Sequence, residues 1–329
     1  MLSNSSFLIT GGTGSFGKTL IRHLLNSDVE RIVCLSRDED KQHLMKRDFS
    51  DERIHFQLGD VRDPNTFDIS LKGIDYVFHA AALKHVPASE YQPLEFVKTN
   101  ILGSQNLLSN ISKSNVKGAV FLSTDKAVAP VNTMGMTKSL MEKLVRASND
   151  IDHRTCITRY GNVIGSRGSV IPQFLNSLRK NGSVDVTNPK MTRFLMSLNE
   201  SVALVLHALE NGETGDLFIQ KSPAASVETI VLALSEILGM KNPIINIIGN
   251  RPGEKMHETL LTSEEKFFAI EGEKYFRVPN KYSDKSNSRE SWSGDNEDYT
   301  SVSTNVLNVE ELVLMLRNNA EVASILLKD

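Results

Sequence analysis

Ser6-Phe7-Leu8-Ile9-Thr10-Gly11-Gly12-Thr13-Gly14-Ser15-Phe16-Gly17 decides how the rest of the chain is read. A short apolar run ends in a glycine turn, and Leu20, Ile21, Leu24 and Leu25 then recur on one face of a helical pattern. The stretch predicts strand, turn and helix. Glycine is required there for a steric reason: backbone amides approach a pyrophosphate only where no Cβ intervenes, and the helix N-terminus then faces the negative charge. Gly11, Gly14 and Gly17 are evenly spaced, and their position between strand and helix predicts a dinucleotide site. Thr13, Ser15 and Phe16 of the same turn join them as candidate cofactor contacts.

Outward from this unit the alternation continues. Strands are expected at Arg31 to Ser36, Ile54 to Leu58, Tyr76 to Ala80, Ala119 to Ser123 and Thr155 to Arg159. Helices are expected from about Pro93 to Ser114 and from Met134 to Asn149. Strands separated by helices predict an α/β fold, a Rossmann-like doubly wound parallel sheet covered on both faces. Ligands bind such sheets at the carboxyl ends of the strands. Ser36, Arg37, Asp60, Val61, Ala80, Ala81, Ala82, Ser123, Tyr160 and Asn162 fall at such ends and, with Asn100, are candidate cofactor contacts. Arg37, directly after the second strand, suits a 2′-phosphate, so NADP is the expected cofactor. Asp38 beside it keeps NAD as the alternative, and the bland reading of Arg37 is a solvated surface charge.

Residues 1–163 are assigned to the cofactor domain, with a return segment near 196–238 that includes the strand Asp216 to Gln220. Residues 164–195 and 239–329 are assigned to a smaller substrate domain, with a strand at Ile244 to Ile248 and a final helix from Val309. The polar stretch 280–303, with Trp292, reads as either a flap or a disordered loop.

Composition narrows the class. The chain has 329 residues, 40% hydrophobic and 23% charged, and a formal net charge of -3, which argues against a nucleic-acid partner. Its two cysteines, Cys34 and Cys156, lie in apolar runs and read as buried thiols. There is no secretory signal pattern, no apolar run of roughly 20 residues that would span a bilayer, and no metal-ligand spacing among the histidines. A soluble cytoplasmic protein with no membrane and no metal is expected.

The chemistry concentrates at Leu122-Ser123-Thr124-Asp125-Lys126-Ala127 and Met134-Gly135-Met136-Thr137-Lys138. Oxidising a sugar carbinol against a nicotinamide needs a base for the hydroxyl proton. The common solution on this fold is Tyr-x-x-x-Lys on a helix, the Lys holding the ribose and lowering the Tyr pKa. Here Lys138 is present but the residue four before it is Met134, whose thioether carries no proton. Asp125 and Lys126 are a surplus that a plain oxidoreductase or 4-epimerase does not need. A dehydratase does need them. With a ketone at C4, a base removes the acidified C5 proton and a carboxylic acid helps the C6 hydroxyl leave as water. A nearby cationic nicotinamide and Lys138 predict a lowered pKa for Lys126, burial would keep Asp125 protonated, and Ser123 and Thr124 are placed to stabilise an enolate. The bland reading is that Asp125 caps a turn and Lys126 is solvated.

These residues, with Ala80-Ala81-Ala82-Leu83-Lys84-His85, Arg159-Tyr160-Gly161-Asn162-Val163, Gly168-Ser169-Val170-Ile171-Pro172, Met191-Thr192-Arg193-Phe194 and Arg251-Pro252-Gly253-Glu254-Lys255, resemble extended short-chain dehydrogenase/reductases. The closer resemblance is to inverting UDP-N-acetylglucosamine 4,6-dehydratases. Within them it is to the Met-x-x-x-Lys 4,6-dehydratase/5-epimerases of capsule and O-antigen synthesis. It covers nearly the whole chain. The resemblance implies that Asp125 and Lys126 serve elimination and C5 proton transfer, Thr124 orients the 4-oxygen and Lys138 holds the nicotinamide ribose. It implies a sugar site lined by Lys84, with Val170, Pro172 and Thr192 also on the substrate side. Asn162, Arg193 and Arg251 would grip the UDP diphosphate through planar charge-assisted forks, and Glu254 the uridine ribose. It further implies a homo-oligomer, hexameric in relatives. Two rivals stand beside it: a UDP-sugar 4-epimerase and a non-catalytic dinucleotide-sensing or scaffold protein.

Overall fold

The computed structural model describes residues 2–148, 153–280 and 297–327. The first unit is β1 (Ser6–Thr10), α1 (Ser15–Leu25), β2 (Arg31–Ser36), α2 (Glu39–Asp48) and β3 (Ile54–Leu58). The chain then runs through α3 (Thr66–Ser70), β4 (Tyr76–His79), α4 (Val86–Tyr91) and α5 (Pro93–Phe96). A π-helical turn over Val97–Leu102 carries α5 into α6 (Gly103–Ile111), and β5 (Gly118–Leu122), α7 (Thr133–Ala147) and β6 (Arg154–Arg159) follow. The second half holds β7 (Asn162–Val163), α8 (Val170–Asn181), β8 (Ser183–Val186), β9 (Thr192–Met196), α9 (Leu198–Asn211) and β10 (Leu217–Gln220). It continues with β11 (Ala224–Ser226), α10 (Val227–Ile237), β12 (Ile244–Ile247), β13 (Thr259–Leu261) and α11 (Ser263–Phe267). The last elements are β14 (Ile270–Glu271), β15 (Tyr275–Val278), β16 (Tyr299–Thr300), α12 (Val309–Arg317) and α13 (Ala320–Leu326).

The large sheet has nine strands in the order β14-β15-β10-β6-β5-β4-β1-β2-β3. From β10 to β3 every neighbouring pair is parallel, as the strand–helix alternation predicts. The order reverses between β1 and β4, so a crevice opens at their carboxyl ends. Its buried strands are apolar on both faces. Leu20, Ile21 and Leu24 of α1 pack with Val202, Val205 and Leu209 of α9 on one side. Leu107, Leu108 and Ile111 of α6 pack with Met141 and Val145 of α7 on the other. The predicted Rossmann-like α/β architecture is therefore present.

Local sequence explains several boundaries. The Asp38 carboxylate accepts the Lys41 N–H at 2.9 Å and starts α2. Ser197 and Glu200 form a reciprocal capping box at α9, and Asn132 accepts the Gly135 N–H at 2.7 Å to start α7.

Three differences from the sequence expectations are informative. The expected helix from Pro93 to Ser114 is a continuous helical run from Pro93 to Ile111 that contains a π turn, and Asn100 within that turn faces the loop after β4. The assignment of 239–329 to the smaller domain fails at 270–278, where β15 pairs antiparallel with β10 and extends the large sheet. The return segment is also shorter than 196–238: α10 packs with α8 and α12 in a separate core through Leu175, Leu178, Ile230, Leu234, Leu312 and Leu316. The expected strand at Ile244 pairs with β8 in a two-stranded sheet of that smaller body.

Cys34 and Cys156 are buried free thiols, as expected. Among the described residues no helix is long and apolar enough to cross a membrane. Most of the polar stretch 280–303, including Trp292, lies outside the described residues. Its ends are built in: Asn280 Nδ2 donates to the Arg146 carbonyl at 2.9 Å, and β16 pairs with β13.

Candidate active site

The site grows from the end of β5. Past Leu122 the chain leaves the sheet, and Thr124 starts a single 3-10 turn over Asp125–Ala127. The Asp125 N–H bonds to the Tyr160 carbonyl at 3.0 Å, which ties the turn to the end of β6. Gly135, in the first turn of α7, lies against the same turn: a Cβ there would stand 2.1 Å from the Lys126 carbonyl oxygen. Only glycine lets the helix come this close.

The side chains of the turn form one cluster. Asp125 is fully buried, and its Oδ1 accepts from Thr124 Oγ1 at 2.9 Å and from Lys126 Nζ at 3.0 Å. Lys126 Nζ also reaches Asn162 Oδ1 at 3.4 Å and Glu258 Oε1 at 3.3 Å. The bland reading of Asp125 as a cap and Lys126 as a solvated ammonium does not describe this arrangement. Glu258, from the segment before β13, is a site residue that the sequence pattern does not mark. The motif Arg251 to Lys255 ends three positions before it, and nothing in the local pattern marks Glu258 as facing Lys126.

The expected lowering of the Lys126 pKa is corrected. Burial disfavours the ammonium, but the Asp125 and Glu258 carboxylates outweigh burial and raise its pKa above the ordinary lysine value. Lys138 behaves as expected of a buried amine: burial lowers its pKa to about 8, against the pull of Glu142. Its Nζ contacts Met141 Sδ at 3.0 Å. Met134 is buried one turn before it, and its N–H donates to Ser89 Oγ at 3.2 Å.

Ser123 is engaged elsewhere than expected. Its Oγ donates to Glu142 Oε1 at 2.5 Å, so the hydroxyl proton expected for an enolate is already held. Glu142 also accepts from Arg159 Nε at 3.1 Å and Nη2 at 2.6 Å, and Arg159 Nη1 donates to Glu265 Oε2 at 2.8 Å. This buried chain joins β5, α7, β6 and α11 beneath the site.

The cofactor turn fits a dinucleotide. Gly11 has φ +66°, and a Cβ on it would stand 2.8 Å from the Ala81 nitrogen. Gly14 caps α1 without a side chain, and the first turn carries no acid, so its N–H groups face outward unopposed. Gly17 is buried, while Ser15 and Phe16 are half-buried in that turn. Thr13 Oγ1 and Ser36 Oγ bond at 3.0 Å, joining the turn to β2. Ala80 and Ala81 pack on its far side, where the Ala81 N–H meets Thr10 Oγ1 at 3.2 Å, and Ala82 is exposed.

Asp38 is occupied as the α2 cap and paired with Lys41, which leaves Arg37 exposed, 3.7 Å from Asp60. Asp60 is held chiefly by Arg62, whose Nε donates to it at 2.8 Å. Arg167 carries no motif signal of its own in the sequence. Its N–H donates to Ser15 Oγ at 3.1 Å and its carbonyl accepts from Lys84 Nζ at 2.9 Å, bridging the glycine turn and the loop after β4. Asn100 is a clamp: its amide bonds to both backbone groups of Leu83 and to Thr137 Oγ1. Val61 is a core residue, and Tyr160 is half-buried with a pKa raised by burial.

Of the residues expected to meet the substrate, Arg193 donates through Nη1 to the carbonyls of Thr192 at 2.8 Å and Lys255 at 3.1 Å, and its Nε lies 3.9 Å from Glu258. Thr192 Oγ1 bonds Ser301 Oγ at 2.6 Å. Arg251 is exposed, whereas Glu254 keeps Oε2 buried and without a partner. Val170 and Pro172 sit half-buried in the first turn of α8. Among the described residues no cluster of His, Cys, Asp or Glu is placed to hold a metal.

Residues 7–280 match the family described as polysaccharide biosynthesis protein. A relative from Rickettsia bellii (strain RML369-C), named UDP-glucose 4-epimerase, is 46% identical over 331 residues, covering 97% of each chain. The solved structure of Pen from Bacillus thuringiensis is similar at TM-score 0.89 and 34% identity, over 97% of this chain and 98% of that one. DesIV from Streptomyces venezuelae, a dTDP-glucose 4,6-dehydratase, is similar at TM-score 0.70 and 22% identity, over 76% of this chain and 86% of its own. At that identity the likeness is one of fold.

Proposed function

This chain belongs to the polysaccharide biosynthesis protein family, and from that premise we propose that it is an NADP-dependent, inverting UDP-N-acetylglucosamine 4,6-dehydratase with 5-epimerase action. The observation that carries this reading is the ion pair at 3.0 Å between buried Asp125 and half-buried Lys126, on a site whose helix offers Met134 in place of a phenol. The reading makes the chain an early enzyme of surface-polysaccharide synthesis, producing UDP-2-acetamido-2,6-dideoxy-β-L-arabino-hexos-4-ulose.

The glycine turn and the α1 N-terminus would hold the cofactor pyrophosphate, Arg37 its 2′-phosphate and Lys138 the nicotinamide ribose. Held there, the nicotinamide would supply reversible hydride chemistry to the sugar. Lys126, once its ammonium has released a proton to solvent, takes the C4 hydroxyl proton through Thr124, and the 3.0 Å contact passes it from Lys126 to Asp125. Asp125 is then the acid that gives this proton to the departing C6 hydroxyl, which leaves as water. Lys126, neutral again, removes the C5 proton, and the new C5–H bond forms with a solvent proton on the opposite face. Arg193, Arg251 and Asn162 would hold the diphosphate, and Glu254, with its orphaned oxygen, the uridine ribose.

The name of the Rickettsia bellii relative favours a second reading, a UDP-sugar 4-epimerase. That chemistry touches C4 alone and gives Asp125 no acid to be. Incubation with UDP-N-acetylglucosamine, followed by NMR and mass spectrometry, separates the two. A 6-deoxy-4-keto product lighter by one water supports the dehydratase. An isomer of unchanged mass, inverted at C4, contradicts it.

A further inference from the structure

We infer that Glu258 is a positioning residue that acts through Lys126, holding the amine at the sugar and governing when it can accept a proton. The inference rests on the dehydratase reading for the task of Lys126, but not for the geometry. Glu258 is pinned on its backbone: its N–H donates to Ser301 Oγ at 2.9 Å, and its carbonyl accepts the Ser301 N–H at 2.8 Å. Its carboxylate is buried, with Oε1 3.3 Å from Lys126 Nζ. Oε2 has no hydrogen-bond partner among the described residues, and neither has Oδ2 of Asp125 on the other side of the same amine. Two buried carboxylates, each with an orphaned oxygen, around one ammonium are a poor way to stabilise a fold. They are a good way to keep a lysine charged and aimed until a proton is drawn off.

The other groups around the amine are fixed. Asn162 approaches from β7 at 3.4 Å, Arg193 from β9 lies 3.9 Å from Glu258, and Lys255 precedes Glu258 on its own segment, where it donates to the Val128 carbonyl. Asp298 acts on Lys255 from a greater distance. Removing the Glu258 carboxylate, 3.3 Å from the amine, therefore changes the proton affinity of Lys126. The direction is counter-intuitive. Without Glu258 the ammonium is less well held, so Lys126 loses its proton at lower pH and the base-limited side of the rate profile moves towards acid.

The test compares wild type with Glu258→Gln, which keeps the shape and removes the charge. The Lys126 amine is followed by NMR of lysine-labelled protein across pH, its signal assigned by loss in Lys126→Arg. The Lys126 acid constant should rise about tenfold or more, as for loss of an opposite charge at this distance. The rising limb of kcat/KM should shift to lower pH with KM little changed. An unchanged Lys126 titration in folded Glu258→Gln protein overturns the inference. So does a shift of the opposite sign. If Glu258→Gln does not fold, Glu258→Asp carries the test, because a carboxylate drawn back by one methylene should raise the acid constant several-fold and no change would overturn the inference. Should wild type dehydrate no UDP-sugar, the functional reading fails by itself, and the titration still decides the role of Glu258.

Discussion

At the residue scale, the proton states of a few buried groups carry the argument. His79 is the cleanest example. It is fully buried, with Nδ1 2.8 Å from Thr10 Oγ1 and Nε2 3.0 Å from Ser104 Oγ, and burial followed by Lys138 lowers its pKa to about 3. The unfolded chain takes up a proton on His79 near pH 6.5, and the folded chain does not until about pH 3. Stability is therefore whole above pH 6.5 and falls as the pH drops through that window. His79→Gln, which can keep both bonds, should remove roughly 2 kcal/mol of the loss between neutral pH and pH 5. Urea midpoints of both proteins across pH measure it, and parallel pH dependences would contradict it. The residue types of the site were legible in the sequence, because Asp125, Lys126, Met134 and Lys138 are a local pattern. The proton balance of Lys126 was not. It is set by Asp125 together with Glu258, a residue brought in by tertiary folding, and its sign is opposite to the expectation. Ser123 likewise looked free until Glu142 and Arg159 were seen to hold it.

At the scale of elements, the position of Lys126 depends on how closely α7 rides on the Asp125–Ala127 turn. Gly135 is the hinge point of that contact. Gly135→Ala would press a methyl against the Lys126 carbonyl and displace the turn. We expect kcat to fall about a hundredfold, since misplacement by an ångström costs that much, while cofactor affinity at the distant α1 turn is retained. Steady-state kinetics with cofactor titration measure it, and a variant with unchanged kcat would contradict the positioning argument. The parallel strands and their helices were legible, because apolar runs and glycine turns are local signals. The π turn at Val97–Leu102 was not, since one extra residue per turn leaves no mark in an apolar pattern. Nor was β15. A short strand carries no label of the sheet it joins, and its partner β10 lies far away in sequence.

At the scale of the molecule, two bodies meet over the crevice. The large sheet supplies the glycine turn, the Asp125–Lys126 turn and Lys138. Bonds from the second half of the chain close round them: Glu258 on Lys126, Arg167 on Ser15, and Glu265 on Arg159. Residues 106 to 152 positions apart are thus brought together, and a single sequence shows such convergence only through motifs. That is why the second-half residues were legible as a resemblance and not as geometry.

The most direct measurement of the central claim is solvent exchange at C5. UDP-N-acetylglucosamine incubated with wild-type enzyme in D2O should give a 6-deoxy-4-keto sugar with deuterium at C5, and Lys126→Ala should incorporate none. Recovery of sugars altered only at C4, with protium retained at C5 and the C6 hydroxyl intact, would contradict the account.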